Sequence, residues 1–430
     1  MFQTIINAFK IKEVRNKILI TIALIFVYRL GCHIPVPGVS EFSGIGEYSF
    51  LEIMNAVSGS ALQLGTFFAM GIGPYINASI IIQLLSVGIP ALERLSKQGE
   101  EGRRKISAYT RILTLILAVA QSIGILVMFN SAQSLQLGQL FGDQGFNKFL
   151  SYATLVIIYT AGAALTMWIG ERITDYGVSN GISLLIFAGI LSSAGNAIFA
   201  MIQGLFNPDY ALTAMWTLIG FVFVAILIFA AIVAVDNGER KIPVQYAKQV
   251  KGRKMYGGQS THIPIKVNAS GVMPLIFAFS ILSFPDLIIN LLGKKTSWWT
   301  QNVGTDSWIY VVLLCLLILF FSYFYNQIQF NPDDISKSIQ GNGGFIPGTR
   351  PGKPTADYLK RVSNRITLFG AIFLALLALV PTVIFKAIGG EGLTSVFSAT
   401  GLLIIVSVAL EFEKALQSQI MMKNYKGFLK

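Results

Sequence analysis

The sequence predicts an all-α membrane protein: ten transmembrane helices in two pseudo-symmetric, inverted five-helix halves around a central pore, with a short re-entrant plug helix in the first half. Three observations carry that expectation. The 430 residues are 53% hydrophobic and only 13% charged, where soluble domains carry about 25% charged residues. Apolar runs near the ~20 residues that cross a bilayer recur along the chain. A helix-breaking pattern of Gly, two residues, then Pro interrupts two of those runs, five spans apart.

The ten runs are Ile18–Ile34, Ile72–Ile89, Ile112–Ser131, Leu150–Ile169, Gly181–Ile202, Leu212–Val235, Ser270–Leu292, Trp308–Phe330, Ile366–Ile388 and Ser395–Leu410. Helices are the natural spanning form, because each satisfies its own backbone hydrogen bonds in lipid. The runs are too long and continuous for barrel strands. The N-terminal MFQTIINAFKIKEVRNK starts like a signal peptide, but no small-residue cleavage site follows the first run. It reads as a retained amphipathic segment leading into the first span.

Basic residues fix the orientation. No Lys or Arg occurs between Arg29 and Arg94, nor between Arg172 and Arg240, whereas they crowd three of the connecting loops. With ten spans those loops share one side, and the positive-inside rule places that side, with both termini, in the cytosol. Most of the net charge of +12 is therefore topological. Cys32 and Cys315 read as apolar fillers. With only His33 and His262 for imidazole ligands, no metal site or cofactor is expected.

Two cytosolic loops, 236–269 and 331–365, exceed the usual helix–helix linker of 2–8 residues. They mix charge with turn-forming pairs, as in GRKMYGGQSTHIPIKVN and GNGGFIPGTRPGKPT, and protrude as candidate docking surfaces. An internal repeat divides the rest. GIGPYINASIII in the second span resembles GVMPLIFAFSIL in the seventh, and NGISLLIFAGI in the fifth resembles TGLLIIVSVAL in the tenth. An offset of five spans inverts the second half, 212–430, relative to the first, 1–203, with 204–211 as a hinge. Interrupted spans at matching places in inverted halves point to a central pathway.

If those four spans meet, they present Ile72, Ile76, Ile182, Ile186, Ile276 and Ile404 to one another. A ring of isoleucines is narrow and unwettable, and offers no hydrogen bonds by which to select a solute. For any one of them ordinary interhelical packing is the better explanation, and only the recurrence of broken helices around them favours the functional reading. Leu51–Ala69, which precedes the first break, is too short and polar to span and is expected to re-enter and fold back. Polar groups within the spans are few: Asn77, Gln83, Gln121 and, at the mouth of the seventh, Asn268. No ionisable group stands clearly at mid-span, which argues against an ion-coupled solute transporter, the alternative that also uses inverted repeats. No nucleophile–base pair or phosphate loop marks an enzyme.

MGIGPYINASIIIQLL, GEEGRRKISAYTR, WIGERITDYGVSNGISLLIFAGI, GGQSTHIPIKVNASGVMP and GGFIPGTRPGKPT, in this order, resemble the bacterial SecY family, central subunits of the protein-translocation channel. The resemblance implies a clamshell around an hourglass pore that translocates unfolded secretory polypeptides bearing signal sequences and releases apolar segments into membrane lipids. It implies a pore ring of the six isoleucines and a plug at about 53–63, including Ile53, Asn55, Ser58, Gly59, Ser60 and Leu62. It implies a lateral gate with Asn77, Gln83, Asn268 and Phe284. Docking of the SecA ATPase or the ribosome is expected at Arg240, Lys248, Lys251, Arg253, Lys254, Arg350 and Lys353. SecE and SecG would be companion subunits in the bacterial cytoplasmic membrane, and a partner would supply the energy.

Overall fold

The structure, a computed structural model, describes residues 2–42, 49–131, 133–142, 144–206, 211–246, 249–251, 254–256, 260–268, 271, 273–291, 298–303, 307–387 and 399–427. Helix dominates because an apolar run in lipid can pair its N–H and C=O groups only within itself. The first part of the chain holds α1 (Phe2–Lys10), α2 (Lys12–Gly31), the short α3 (Ser49–Ser58) and α4 (Gly73–Gly88). It continues through α5 (Pro90–Lys97), α6 (Glu100–Ser131), α7 (Gly145–Tyr176) and α8 (Gly181–Leu205). The second part holds α9 (Ala211–Asp236), α10 (Met273–Leu291), α11 (Trp298–Asn302), α12 (Trp308–Gln329), α13 (Pro332–Gly341), α14 (Lys353–Ala387) and α15 (Ala399–Gly427). Each of the ten expected runs falls on one of these helices, and most of the expected hinge, 207–210, lies outside the described residues.

Among the described residues, α6, α7, α9, α12 and α14 are each long and apolar enough to cross a membrane. α4 with α5 makes a sixth such unit, bent by 106° between them. The bend is written in the sequence: Gly88 weakens the helix and Pro90 cannot continue its hydrogen bonding. α8 and α10 contribute shorter apolar stretches, Gly181–Asn196 and Met273–Leu282.

Strands from the two long loops join in one folded cap. β1 (Glu239–Tyr246) pairs antiparallel with β4 (Ser260–Lys266), and β5 (Gly344–Phe345), from the other loop, pairs with the far end of β1. β2 (Gln249–Lys251) and β3 (Lys254–Tyr256) make a small separate hairpin. Alternation along β1 aims Ile242 and Val244 to one face, where they pack with Ile265, Ile339, Ile346 and Leu359. The final third of 331–365 is not loop at all, since α14 already begins at Lys353.

Three of the apolar clusters hold the centre of the bundle. One gathers α3, α6 and α7 with the turns around Val36 and Leu62. A second gathers α9, α10, α12, α14 and α15, into which Ile80 of α4 and Ala194 of α8 intrude. The third lies at the seam, where α2, α4, α7 and α8 meet α10 and α15.

Candidate functional site

The seam cluster contains all six isoleucines singled out in the sequence. Gly71 takes φ +51°, a conformation costly for any residue with a Cβ, so the chain can turn sharply just ahead of α4. Pro74 then fits the first helical turn, where its missing N–H is not needed. Ile72 and Ile76 follow from that start. Ile182 and Ile186 share one face of α8 at i, i+4, and α10 and α15 bring in Ile276 and Ile404. Ile72, Ile186 and Ile404 are buried, and the other three half-buried.

Ile186, Ile276 and Ile404 line two cavities at once. The larger, about 440 Å³, reaches to the cap end of the bundle past Asp236, Lys266, Asn268, Glu411 and Lys414. The smaller, about 80 Å³, is bounded by Met54, Val57 and Ser58 of α3, by Asn77 of α4 and by Ser280 of α10. A greasy partition thus stands between a wide charged space and a narrow apolar one. In the wide space Lys414 Nζ lies 3.8 Å from Asp236 Oδ2, and Asn268 Nδ2 donates to Asp236 Oδ1 at 3.3 Å. Burial, then the Asp236 carboxylate, push the Glu411 carboxyl above its ordinary range, and Lys266 partly offsets them. Among the described residues no cluster of three His, Cys, Asp or Glu side chains could hold a metal ion.

The expected plug segment is a helix that starts earlier and stops sooner than 53–63. α3 spans Ser49–Ser58, and Gly59 (φ +71°) and Ser60 (φ 69°) end it in left-handed conformations. Ser60 N–H donates to Asn55 O at 2.9 Å and Gly59 N–H to Ala56 O at 3.3 Å, the paired bonds of a Schellman cap. Asn55 Oδ1 accepts from Gln63 N–H, and Leu62 is fully buried. The side chain of Ile53 lies outside the described residues.

The residues expected at a lateral gate do not all come together. Asn77 lies at the small cavity with Ser280 opposite, whereas Asn268 sits at the large one. Gln83 reaches across to α12, where the Tyr325 hydroxyl donates to its Oε1 at 2.5 Å. Tyr325 packs on Phe277 of α10, ring centroids 5.0 Å apart. The side chain of Phe284 lies outside the described residues, as do Lys248 and Arg253 and the side chains of Lys251 and Lys254. Arg240 on β1, Arg350 and Lys353 are exposed on the cap. The turn that carries Arg350 is held down at both ends: Thr355 Oγ1 donates to Arg350 O and Ser336 Oγ to Gly352 O, each at 2.7 Å.

Two contributors escaped sequence reasoning. Tyr325 is hidden in the aromatic run FFSYFY, although a tyrosine in an apolar span always carries a polar tip that needs a partner. Arg29 was legible as an arginine inside an apolar run, the feature that membrane helices reserve for special positions.

The family model described as SecY matches residues 66–413 of this chain. A protein from Streptomyces galbus, described as protein translocase subunit SecY, is 42% identical over 447 aligned residues covering 100% of each chain. Among solved structures, a protein-conducting channel superposes with a TM-score of 0.67 at 20% identity, covering 94% of this chain and 92% of that one. Sec61 from a canine ribosome–channel complex of the endoplasmic reticulum gives 0.62 at 18% identity, over 94% and 92%. At these identities the structural likenesses speak for the fold.

Proposed function

The chain belongs to the SecY family, and from that premise we propose that it is the channel subunit of a protein translocase. It passes unfolded secretory polypeptides across the cytoplasmic membrane of a bacterium and lets apolar segments leave sideways into lipid. The observation that carries this reading is the meeting of isoleucines from four helices between a wide and a narrow cavity. Branched side chains resist water and ions, yet an extended chain of any sequence can part them, because they make no directional bonds that must first be broken.

In this reading the ten helices form two inverted halves, 1–203 and 212–430, and the charged cavity is the cytosolic vestibule, in keeping with the basic residues around the cap. α3 is the plug that closes the far side of the ring. The wall between α4/α6 and α10/α12 is the lateral gate, and the Tyr325–Gln83 bond is one of its closing contacts. Sorting at the gate is partitioning. Each Leu-like residue favours lipid by a few tenths of a kcal/mol, and a central Lys or Arg opposes it by ~3 kcal/mol. The cap, with Arg240, Arg350 and Lys353 exposed, receives the SecA ATPase or the ribosome, which supplies the energy, and Lys248, Lys251, Arg253 and Lys254 of the same loop of the sequence take part. SecE and SecG complete the complex. A secondary solute transporter would instead need a polar recognition site where the isoleucines meet.

The test is Ile404→Asn in the complex reconstituted into vesicles. It should wet the constriction, raise resting ion conductance and admit polypeptides with defective signal sequences. Conductance and stringency both equal to those of the parent protein would reject the ring.

A further inference from the structure

We propose that Arg29 of α2, with Gly189, Ser192 and Ser193 of α8, forms a seat that grips the C-terminal end of α3 and sets how readily that helix leaves the closed channel. The inference rests on the plugged-channel reading above and assigns the residues that hold the plug in place.

The last carbonyls of a helix have no intrahelical donors and carry the negative end of its dipole. In α3 the Schellman cap serves Asn55 O and Ala56 O, and α8 adds to it from outside. Ser193 Oγ, on α8, donates to Ala56 O at 3.1 Å. One turn earlier α8 presents Gly189, and the Cβ that this residue lacks would fall 1.8 Å from Val57 O. Only glycine lets the two backbones approach so closely. Arg29 closes the third side. Its Nη2 donates to Ser192 Oγ at 2.5 Å, and its Nη1 is buried without an acceptor among the described residues. That nitrogen lies over Gly59, where a Cβ would come within 2.1 Å of it.

A guanidinium inside an apolar span needs an explanation, because a buried charge left short of partners is costly. Its position supplies one. The cation sits at the negative end of the α3 dipole, where a positive charge stabilises a helix, and it gains that interaction only while α3 is docked. When α3 leaves, Arg29 loses it and the Ala56 carbonyl loses the Ser193 hydroxyl. Both changes favour the docked state. Gly59 completes the match, since any side chain there would displace the guanidinium.

Resting conductance of the purified complex in planar bilayers tests this. Arg29→Met should raise it about tenfold, and Arg29→Lys, which keeps a cation, should stay within about twofold of the parent protein. A disulfide between Ala56→Cys and Ser193→Cys, added to Arg29→Met, should return conductance to the parent level, because it restores docking without the charge. Three results would overturn the seat: no leak in Arg29→Met while Ile404→Asn does leak, Arg29→Lys leaking as much as Arg29→Met, or a leak that the disulfide leaves in place. If Arg29→Met does not assemble, Ser193→Ala and Ser192→Ala take its place, and parent-level conductance in both would equally overturn it. Silence of Ile404→Asn as well as the seat variants would instead reject the channel reading on which the seat depends.

Discussion

At Gly71 the backbone passes through φ +51°, and α4 starts two residues later with Pro74 in its first turn. At Gly271 it passes through φ +62°, and Met273–Pro274 opens α10 in the same way. Each start delivers an isoleucine, Ile76 or Ile276, to the same small cavity. The surroundings of the two breaks differ. Gly71 faces α3, with Ser58 Cβ 3.4 Å from where its own Cβ would be, whereas a Cβ at Gly271 would meet none of the described residues within 4 Å. Gly71 and Gly73 line the narrow space, and Gly271 and Met273 the wide one. One local device, repeated, therefore gives matched side chains at the partition, and the asymmetry across it comes from the segment inserted ahead of α4. Glycine and proline decide where a helix starts; what that start faces is decided by what else the chain brings there.

The largest effect that bears on this comparison comes from the delivered side chains. Ile76→Asn and Ile276→Asn should each raise resting conductance about tenfold, by putting an amide where nothing pairs with it but water. Single-channel recordings that differ by more than about threefold would show that the breaks are not equivalent at the partition. Next comes the link between the two broken helices. Tyr325 packs on α10 and bonds to Gln83 of α4, so Tyr325→Phe keeps the packing and removes the bridge. Loss of one buried hydrogen bond, about 1 kcal/mol, should increase acceptance of weak signal sequences about fivefold. An export assay with unchanged acceptance would remove the bridge from the gate.

Smaller effects refine the comparison. Gly271→Ala isolates the cost of a left-handed backbone, about 1 kcal/mol, because there is room for the methyl group. Gly71→Ala adds contact with Ser58, so denaturation of the two variants measures what α3 contributes at the first break. Equal losses would assign it nothing. The smallest effect belongs to Glu411, which lines the wide cavity and not the narrow one. Its raised value means that the folded chain disfavours the carboxylate. The penalty is full above that raised value and absent below the ordinary ~4.3. Glu411→Gln should therefore raise the Tm by about 1 °C at pH 8 and leave it unchanged at pH 4. Identical midpoints at pH 8 would contradict this.

What was legible in the sequence was local. The Gly/Pro starts, the helical runs and the isoleucines that follow them depend on residues close to one another, and all six isoleucines do share a cluster. Features made by distant pairings were not legible. β5 is two residues long and pairs with β1 about a hundred residues earlier, so nothing near Gly344 announces a strand. The joining of the two long loops in one cap therefore could not be read from either loop alone. The bounds of α3 were not legible for a related reason: its packing partners, α8 and α10, lie far along the chain. Asn268 is expected beside Asn77 and Gln83 at a lateral gate, but a single carboxylate, Asp236, draws it to the wide cavity.

The 106° bend after Gly88 limits how tall one wall of the molecule is. α4 contains 16 residues, about 24 Å of helix, and beyond the bend α5 turns almost crosswise. A hydrocarbon core of ~30 Å exceeds that height by about 6 Å, and lipid that reaches α4 at its exposed Leu85 and Val87 would have to thin or deform to make up the difference. Acyl-chain length thus becomes a mechanical load on the same helix that bears Ile76 and Gln83. Vesicles made from longer-chain lipids should strain that wall, and those from shorter-chain lipids should relieve it.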